Sequence, residues 1–204
     1  MNSGLGRVPI VLASGSAARA RMLKAAGVDF EIVPARVDED ALIETLTRDG
    51  ATPHDLADAL AELKAVRVST KMPGRLVLGA DQMLSCEGET FVKPAVRGEA
   101  AAQLARLSGR DHDLWSAACL ARDGAPVWRF VGRARLWMRV LTADFIAAYL
   151  DAAGDGVLAC VGAYEIEGLG ANLFAKIEGD VFTIQGLPLL NVLDALRTQG
   201  AIRA

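Results

Sequence analysis

Two patterns of apolar and polar residues alternate along the chain. Short, largely apolar runs at residues 8–12, 30–33 and 76–80 predict buried β-strands, because each run is short and bounded by turn-forming residues. Elsewhere, apolar residues recur three and four positions apart, a spacing that predicts helices. The predicted helices cover residues 17–26, 52–68, 99–107, 143–152 and 188–198.

The predicted helix that begins after residue 52 has the clearest start. Thr52 is a good N-cap residue, and Pro53 suits the first helical turn. Asp55 places a negative charge near the positive end of the helix dipole.

The middle of the chain is rich in predicted strands. Residues 114–121 and 127–140 are separated by Arg122-Asp123-Gly124, a favourable hairpin turn. Residues 157–166 and 182–184 are expected to form two further strands. Strands that alternate with helices around a hairpin predict an α/β fold, with one mixed β-sheet flanked by helices. We expect residues 1–204 to form one domain.

Composition places the chain among ordinary globular proteins. Of its 204 residues, 52% are hydrophobic and 23% are charged, and the formal net charge is -3. Because a general nucleic-acid binder would carry a basic excess, we expect no nucleic-acid partner. A single nucleotide remains a possible ligand, since one local basic pocket would suffice.

Cysteine and histidine usage excludes some sites. The three cysteines have no C-x-x-C spacing and their number is odd, so we expect reduced thiols rather than a disulfide framework. With only two histidines, a zinc site of the Cys/His kind is not expected. The longest uncharged stretch, residues 181–193, is shorter than the roughly 18 residues of a membrane helix. We therefore expect a cytoplasmic protein without a membrane partner.

The turn Ser14-Gly15-Ser16 lies where the first strand passes into the first helix. Backbone N–H groups at a helix N-terminus suit an anion such as phosphate, and two hydroxyls with Arg19 could add donors. The alternative is that Ser16 only caps the helix while Arg19 is solvated. The stretch is neither a Walker loop nor a G-x-G-x-x-G motif.

Carboxylates cluster at two other places. Asp38, Glu39 and Asp40 follow the second strand, where we expect a loop that could bind a divalent cation or simply be a solvated acidic turn. Asp81 ends the predicted strand 76–80. Because ligands of α/β sheets collect at that edge, Asp81 is a candidate general base or metal ligand, or merely the cap of a turn.

Further candidates are weaker when taken alone. Lys64 lies on the helix after Thr52, and Lys93 lies in a loop. At the end of the predicted strand 157–166, Glu165 and Glu167 alternate with apolar residues and would share one face of a strand. The glycines of residues 162–179 could admit a flat ligand or form turns. Together, the phosphate donors, lysines and carboxylates are the groups that phosphoanhydride hydrolysis requires.

The order of these motifs resembles the Maf family of nucleoside triphosphate pyrophosphatases over nearly the whole chain. The family opening L-A-S-x-S-P-R-R is similar to residues 12–19, and the family D-E pair is similar to Asp38-Glu39. The remaining matches are Lys64-Ala65, Gly79-Ala80-Asp81-Gln82, Lys93-Pro94, the L-S-G-x-x-H element at residues 107–112 and the G-L-P-L element at residues 186–189.

The resemblance implies a fold related to the inosine triphosphate pyrophosphatases, and a homodimer. It implies hydrolysis between the α and β phosphates with a divalent metal, Mg²⁺ or Mn²⁺. Asp81 would be the general base, and Glu39 with Asp81 would bind the metal. The phosphates would be held by Ser14, Ser16, Arg19, Lys64 and Lys93.

Three positions bear on the preferred base. By resemblance, a branch selective for dTTP and UTP carries Arg, Thr and Gln where this chain has Ala18, Gln82 and Glu167. A branch selective for 7-methyl-GTP carries Trp, Gln and Glu there. Two of the three match the second branch, and Glu167 could accept hydrogen bonds from N1–H and the 2-amino group of guanine. Without the Trp, a stacking surface for a cationic base is missing. We predict a guanine-type or modified nucleotide, with a dTTP/UTP-selective enzyme as the alternative.

Two other classes of function compete with this interpretation. A nucleotide-binding regulator of cell division would need no general base, so Asp81 argues against it. A phosphomonoesterase with an aspartyl nucleophile would need D-x-D-x-[TV], whereas Asp81 is followed by Gln82-Met83-Leu84. His112 matches a family position, and we interpret it as a structural hydrogen-bonding residue.

Overall fold

The computed structural model describes residues 8–203. Within this range lie seven strands, seven α-helices and two short 3-10 helices. The strands are β1 (Ile10–Leu12), β2 (Phe30–Ile32), β3 (Val77–Cys86), β4 (Glu89–Phe91), β5 (Asp111–Arg122), β6 (Ala125–Met138) and β7 (Phe174–Glu178). The α-helices are α1 (Ala17–Ala25), α2 (Glu39–Arg48), α3 (Pro53–Ser69), α4 (Arg97–Leu107), α5 (Ala143–Ala153), α6 (Val181–Ile184) and α7 (Leu189–Thr198).

The strands form one mixed sheet, which confirms the predicted fold class. Their order is β2-β1-β3-β5-β6-β7, and β4 pairs with β3. Strand β1 runs parallel to β2 and β3, with Val11 opposite Glu31 and Val77. The pairs β3–β4 and β6–β7 are antiparallel.

The described chain divides into two compact units. The first comprises residues 8–82, 116–132 and 186–203, and the second comprises residues 83–115 and 133–185. The expectation of a single domain stays a prediction.

In the first unit, α3 packs closely on β3. A Cβ at Gly79 would lie 2.3 Å from the carbonyl oxygen of Ala61 and 2.6 Å from the amide nitrogen of Ala65. A glycine is therefore required for this approach. The helix begins with the expected cap, because Thr52 accepts a hydrogen bond from the Asp55 amide and Asp55 accepts one from the Thr52 amide.

In the second unit, the core lies around α4 and α5. Leu104 and Leu107 of α4 and Ile146 of α5 share one apolar cluster with strand residues such as Leu114 and Leu136. Burial of such side chains provides the main stabilisation of the unit.

The turn between β5 and β6 is the predicted hairpin. Asp123 has φ 53° and Gly124 has φ 82°. Positive φ at both central residues is typical of the type I′ turn, whose twist matches that of the flanking strands.

Several sequence predictions were wrong about local structure. Residues 157–166 form no strand: a 3-10 helix spans Asp155–Ala159, and turns follow it. Positive φ at Gly162 and Ala163 is incompatible with a continuous strand. Residues 182–184 belong to α6, where Asp180 accepts a hydrogen bond from the amide of Thr183.

Helix α2 and strands β4 and β7 were not predicted. The acidic stretch is not a loop but a helix start, since Asp38 caps α2 and accepts a hydrogen bond from the Ala41 amide. Glu39 and Asp40 then lie in the first turn, where carboxylates are favourable next to the positive end of the helix dipole. No helix within residues 8–203 is long and apolar enough to cross a membrane.

Candidate active site

The turn after β1 joins a strand to the N-terminus of α1, as predicted. Ser16 is the N-cap, and its hydroxyl accepts a hydrogen bond of 3.4 Å from the Arg19 amide. The Ser14 hydroxyl accepts from the Ser16 amide at 3.3 Å. Each serine hydroxyl thus acts as an acceptor inside the turn and retains its own hydrogen to donate outward.

Arg19 is a buried residue, which contradicts the alternative of a solvated side chain. Its Nε donates to the carbonyl of Gly186 at 2.8 Å, and its Nη1 donates to the carbonyl of Ala80 at 2.9 Å and to Ser14 Oγ at 3.0 Å. Burial lowers the pKa of Arg19, while Asp81 and Glu39 oppose that shift. The guanidinium therefore links α1, β3 and the segment before α7.

Asp81 lies in the middle of β3 and not after its end. The strand continues to Cys86, because β4 pairs with its second half. The carboxylate projects on the same face of β3 as Gly79, since side chains alternate along a strand. That face packs against α3, which carries Lys64.

The central feature of the site is an ammonium between two carboxylates. Lys64 Nζ lies 2.5 Å from Asp81 Oδ1 and 2.8 Å from Glu39 Oε1. The side chains of Lys64 and Asp81 are each 9% exposed, whereas that of Glu39 is 45% exposed. The structure therefore brings together three predicted site residues from β3, α3 and α2.

The donor set at this position fits a hard divalent cation. No group of three or more His, Cys, Asp or Glu side chains in the described part of the chain is placed to hold a metal. Two carboxylates completed by water and substrate phosphate are nevertheless a common way to bind Mg²⁺, and oxygen ligands also suit Mn²⁺. Glu39 and Asp81 would be the protein ligands.

Gln82 is the next residue of β3 and belongs to the same unit. Its Nε2 donates a hydrogen bond of 2.9 Å to Ser116 Oγ on β5. A Cβ at Gly186 would lie 3.5 Å from Gln82 Oε1 and 3.5 Å from Arg19 Nη2. Gln82 and Arg19 therefore both lie next to Gly186, and partly buried Ala18 is one residue away in the chain.

Two predicted site residues lie in the second unit. Lys93 is exposed between β4 and α4. Glu167 is exposed in a turn before the 3-10 helix Leu169–Leu173. Because no strand forms there, the expectation that Glu165 and Glu167 share a strand face was wrong. The roles of Lys93 and Glu167 stay predictions.

Two glycines of this segment, Gly162 and Gly170, serve tight local packing. A Cβ at Gly170 would lie 2.4 Å from the carbonyl oxygen of Glu165. Gly162 has φ 81°, and a Cβ there would lie 2.7 Å from Leu84 and 2.8 Å from Tyr164. Local packing therefore accounts for both glycines without a bound ligand.

His112 is buried in the second unit and agrees with the structural interpretation. Its Nε2 lies 2.8 Å from the Tyr164 hydroxyl, and Phe174 packs nearby. Burial lowers the pKa of His112 to about 4, so the ring is neutral at pH 7.

Sequence reasoning missed the groups that hold Arg19 and Gln82. They are the carbonyls of Ala80 and Gly186 and the Ser116 hydroxyl. Backbone acceptors leave no trace in residue types. The Gly186-Leu187-Pro188 motif was a usable signal, because a glycine with φ 98° there orients a carbonyl toward the site.

Comparison with known proteins identifies the family of the chain. The family model described as "Maf-like protein" matches residues 9–199. A nucleoside triphosphate pyrophosphatase 1 from Jannaschia sp. is 52% identical over 95% of this chain and 98% of its own. A 7-methyl-GTP pyrophosphatase from Mesorhizobium japonicum is 55% identical over 95% of this chain and 97% of its own.

Among solved structures, a HAM1 protein from Coxiella burnetii is 17% identical, covers 94% of this chain and 99% of its own, and has a TM-score of 0.49. At this distance the likeness says nothing about activity. The family match and the identity to the curated relatives both extend over nearly the whole chain. The resemblance inferred from short motifs is thus confirmed: the chain belongs to the Maf family.

Proposed function

We propose that the protein is a hydrolase that cleaves the phosphoanhydride between the α and β phosphates of a nucleoside triphosphate. The products are the nucleoside monophosphate and pyrophosphate. The observation that carries the proposal is the cluster of Lys64, Asp81 and Glu39, in which a buried carboxylate meets a buried ammonium. The names of the curated relatives support the same reaction.

The chemical step follows from the groups in this cluster. Asp81 accepts a proton from water, and the water oxygen bonds to one of the two phosphorus atoms. The bond to the bridging oxygen breaks, and its electron pair leaves with the departing phosphate. Lys64 stabilises the charge that develops on phosphate oxygens. A bound divalent cation supplies Lewis-acid neutralisation of the same charge.

The turn before α1 supplies the phosphate donors. Ser14 and Ser16 each retain a hydroxyl hydrogen that can be donated. The first amides of α1 lie at the same N-terminal end of the helix. Arg19 donates three hydrogen bonds to protein acceptors, so its main role is to hold Ser14 and the Ala80 carbonyl in place. Lys93 would add a further cation to the phosphates.

The preferred base is a guanine or a modified purine such as 7-methylguanine. The assignment comes from the residue types at two positions, because Gln82 and Glu167 match the branch selective for 7-methyl-GTP by resemblance. Several curated relatives are named 7-methyl-GTP pyrophosphatase, including those from Mesorhizobium japonicum and Brucella abortus. Ala18 removes the stacking surface expected by resemblance to that branch.

Pyrophosphate release tests this proposal. Purified protein is incubated with Mg²⁺, Mn²⁺ or EDTA and each of dTTP, UTP, CTP, GTP, 7-methyl-GTP and ITP. We expect metal-dependent pyrophosphate release, fastest with 7-methyl-GTP or GTP. Preference for dTTP or UTP would contradict the base assignment but would agree with the proposed reaction. Orthophosphate in place of pyrophosphate, or nucleotide binding without turnover, would contradict the reaction itself.

The proposed assembly is a homodimer. The proposal comes from the family resemblance, and light scattering of the purified protein tests it. A mass near twice 21.5 kDa is expected, and a mass near the single-chain value would contradict it.

A further inference from the structure

Lys64 occupies the point at which a cation bound by Glu39 and Asp81 would lie. Its Nζ contacts one oxygen of each carboxylate, at 2.8 Å and 2.5 Å. The longer distance is typical of a charge-assisted hydrogen bond, and the contact with Asp81 is shorter than that range. In this state the carboxylate pair already holds a cation that is part of the chain.

The ammonium is confined to this position. The Lys64 side chain is 9% exposed and extends from α3, whose neighbouring residues Ala61 and Ala65 are fully buried against β3. A buried ammonium that left its carboxylates would need another anionic partner, because an unpaired buried charge is strongly unfavourable. Phosphate oxygens are the partner that the proposed substrate brings.

The charge balance of the group also disfavours binding of a free metal ion. Asp81 and Glu39 carry two negative charges, while Lys64 and the nearby Arg19 carry two positive charges. A free divalent ion approaching this group meets no net attraction. A nucleotide triphosphate adds several negative charges and thereby creates a favourable site for the ion.

We propose that Lys64 excludes free divalent metal from the Glu39–Asp81 pair, so that metal is bound only together with the nucleotide. The inference rests on the proposed function for the identity of the incoming anion. Lys64 therefore sets the order of binding. The phosphate oxygens first accept hydrogen bonds from its ammonium, and the two carboxylates then become available as metal ligands.

Electron paramagnetic resonance of Mn²⁺ tests the proposal without turnover. Loss of the free Mn²⁺ signal reports binding to wild type, to Lys64→Gln and to the double variant Lys64→Gln/Asp81→Asn. Lys24→Gln is the matched control, because Lys24 is an exposed lysine of α1. The nucleotide probe is an α,β-imido analogue of GTP, which is not hydrolysed at that bond.

Wild type and Lys24→Gln should bind Mn²⁺ only weakly without nucleotide, with Kd above about 1 mM. Lys64→Gln should bind at least about tenfold more tightly, because the competing charge is gone. The double variant should lose this gain. Wild type with the analogue should bind one Mn²⁺ more tightly than the analogue alone binds it, and this measurement needs no variant protein.

Tight Mn²⁺ binding to wild type without nucleotide would overturn the proposal, as would a Lys64→Gln protein that binds no better than wild type. The nucleotide-free arms do not depend on the proposed reaction. If pyrophosphate release failed while Lys64→Gln still gained a metal site, the reaction would be wrong and the exclusion by Lys64 would stand.

Discussion

Two groups of charged side chains in this protein have similar chemistry and opposite surroundings. In the first unit, Lys64 of α3 is buried between Asp81 of β3 and Glu39 of α2, three elements that follow one another in the chain. In the second unit, exposed Arg133 on β6 forms a bidentate ion pair with Asp113 on β5, with two contacts of 2.9 Å. The first group contains the residues proposed for catalysis and the second does not.

The difference shows where an ion pair matters. Exposed pairs are screened by water and contribute little to stability. The guanidinium of Arg133 also lies 5.2 Å from the centre of the Trp115 ring, a contact of similarly small energy at an exposed site. Burial removes water from a pair such as Lys64–Asp81, and this lost hydration is unfavourable. A buried pair of this kind is therefore typical of a functional site.

The largest effect is expected from Asp81→Asn. The amide has nearly the same shape but cannot accept the proton of water, so kcat should fall about 1000-fold or more. Nucleotide affinity, measured by calorimetry, should change far less. The matched control is Asp113→Asn in the exposed pair, which should keep kcat within about twofold. A wild-type rate for Asp81→Asn would remove Asp81 as the base.

Gly79→Ala tests the packing that brings Lys64 to Asp81. Because the new Cβ would meet backbone atoms of α3 at 2.3 Å and 2.6 Å, the free energy of unfolding should fall by about 3 kcal/mol. Urea denaturation measures this. Gly98→Ala on α4, where nothing lies within 4 Å of the new Cβ, should be neutral or stabilising by about 0.5 kcal/mol. Equal stability of both variants would contradict the close packing.

His112 extends the comparison to a buried group that is neutral. The pKa of His112 is about 4 in the folded protein, below its ordinary value of 6.5. The unfolded chain therefore binds the proton more tightly. The free energy of unfolding should therefore fall as pH drops from about 6.5 to about 4, by about 3 kcal/mol in total. Denaturation series at several pH values measure this, and His112→Gln should flatten this part of the profile. An unchanged profile would contradict the assignment.

Arg133→Ala should have the smallest effect. The side chain is 45% exposed, so the free energy of unfolding should change by no more than about 1 kcal/mol. Raising the salt concentration should reduce even that difference. A loss above about 2 kcal/mol in urea denaturation would show that exposed pairs of the second unit stabilise the fold more than their surroundings predict.

The reliability of sequence reasoning differed between elements for physical reasons. The helix from Pro53 was predicted well because its cap, its proline and its apolar spacing all agreed. Helix α2 was missed, although Asp38 followed by acidic residues is itself a helix-start signal. Residues 157–166 were mistaken for a strand because periodicity cannot separate a short apolar strand from other buried segments.

In the candidate site, too, some features could be predicted from the sequence and others could not. Motif spacing indicated Ser14, Lys64 and Asp81, because residue types carry the chemistry. It did not indicate that Arg19 is held by two backbone carbonyls, or that Asp81 lies inside a strand whose second half pairs with β4.

By itself, the sequence determined the family, the starts of the well-capped helices and the kinds of groups available for chemistry. These properties depend on neighbouring residues or on the residue types themselves. Only the tertiary structure decided that the ammonium of Lys64 lies between Asp81 and Glu39. That contact joins residues of three separate elements, and Gly79 allows α3 to approach β3 closely enough to bury the charges together.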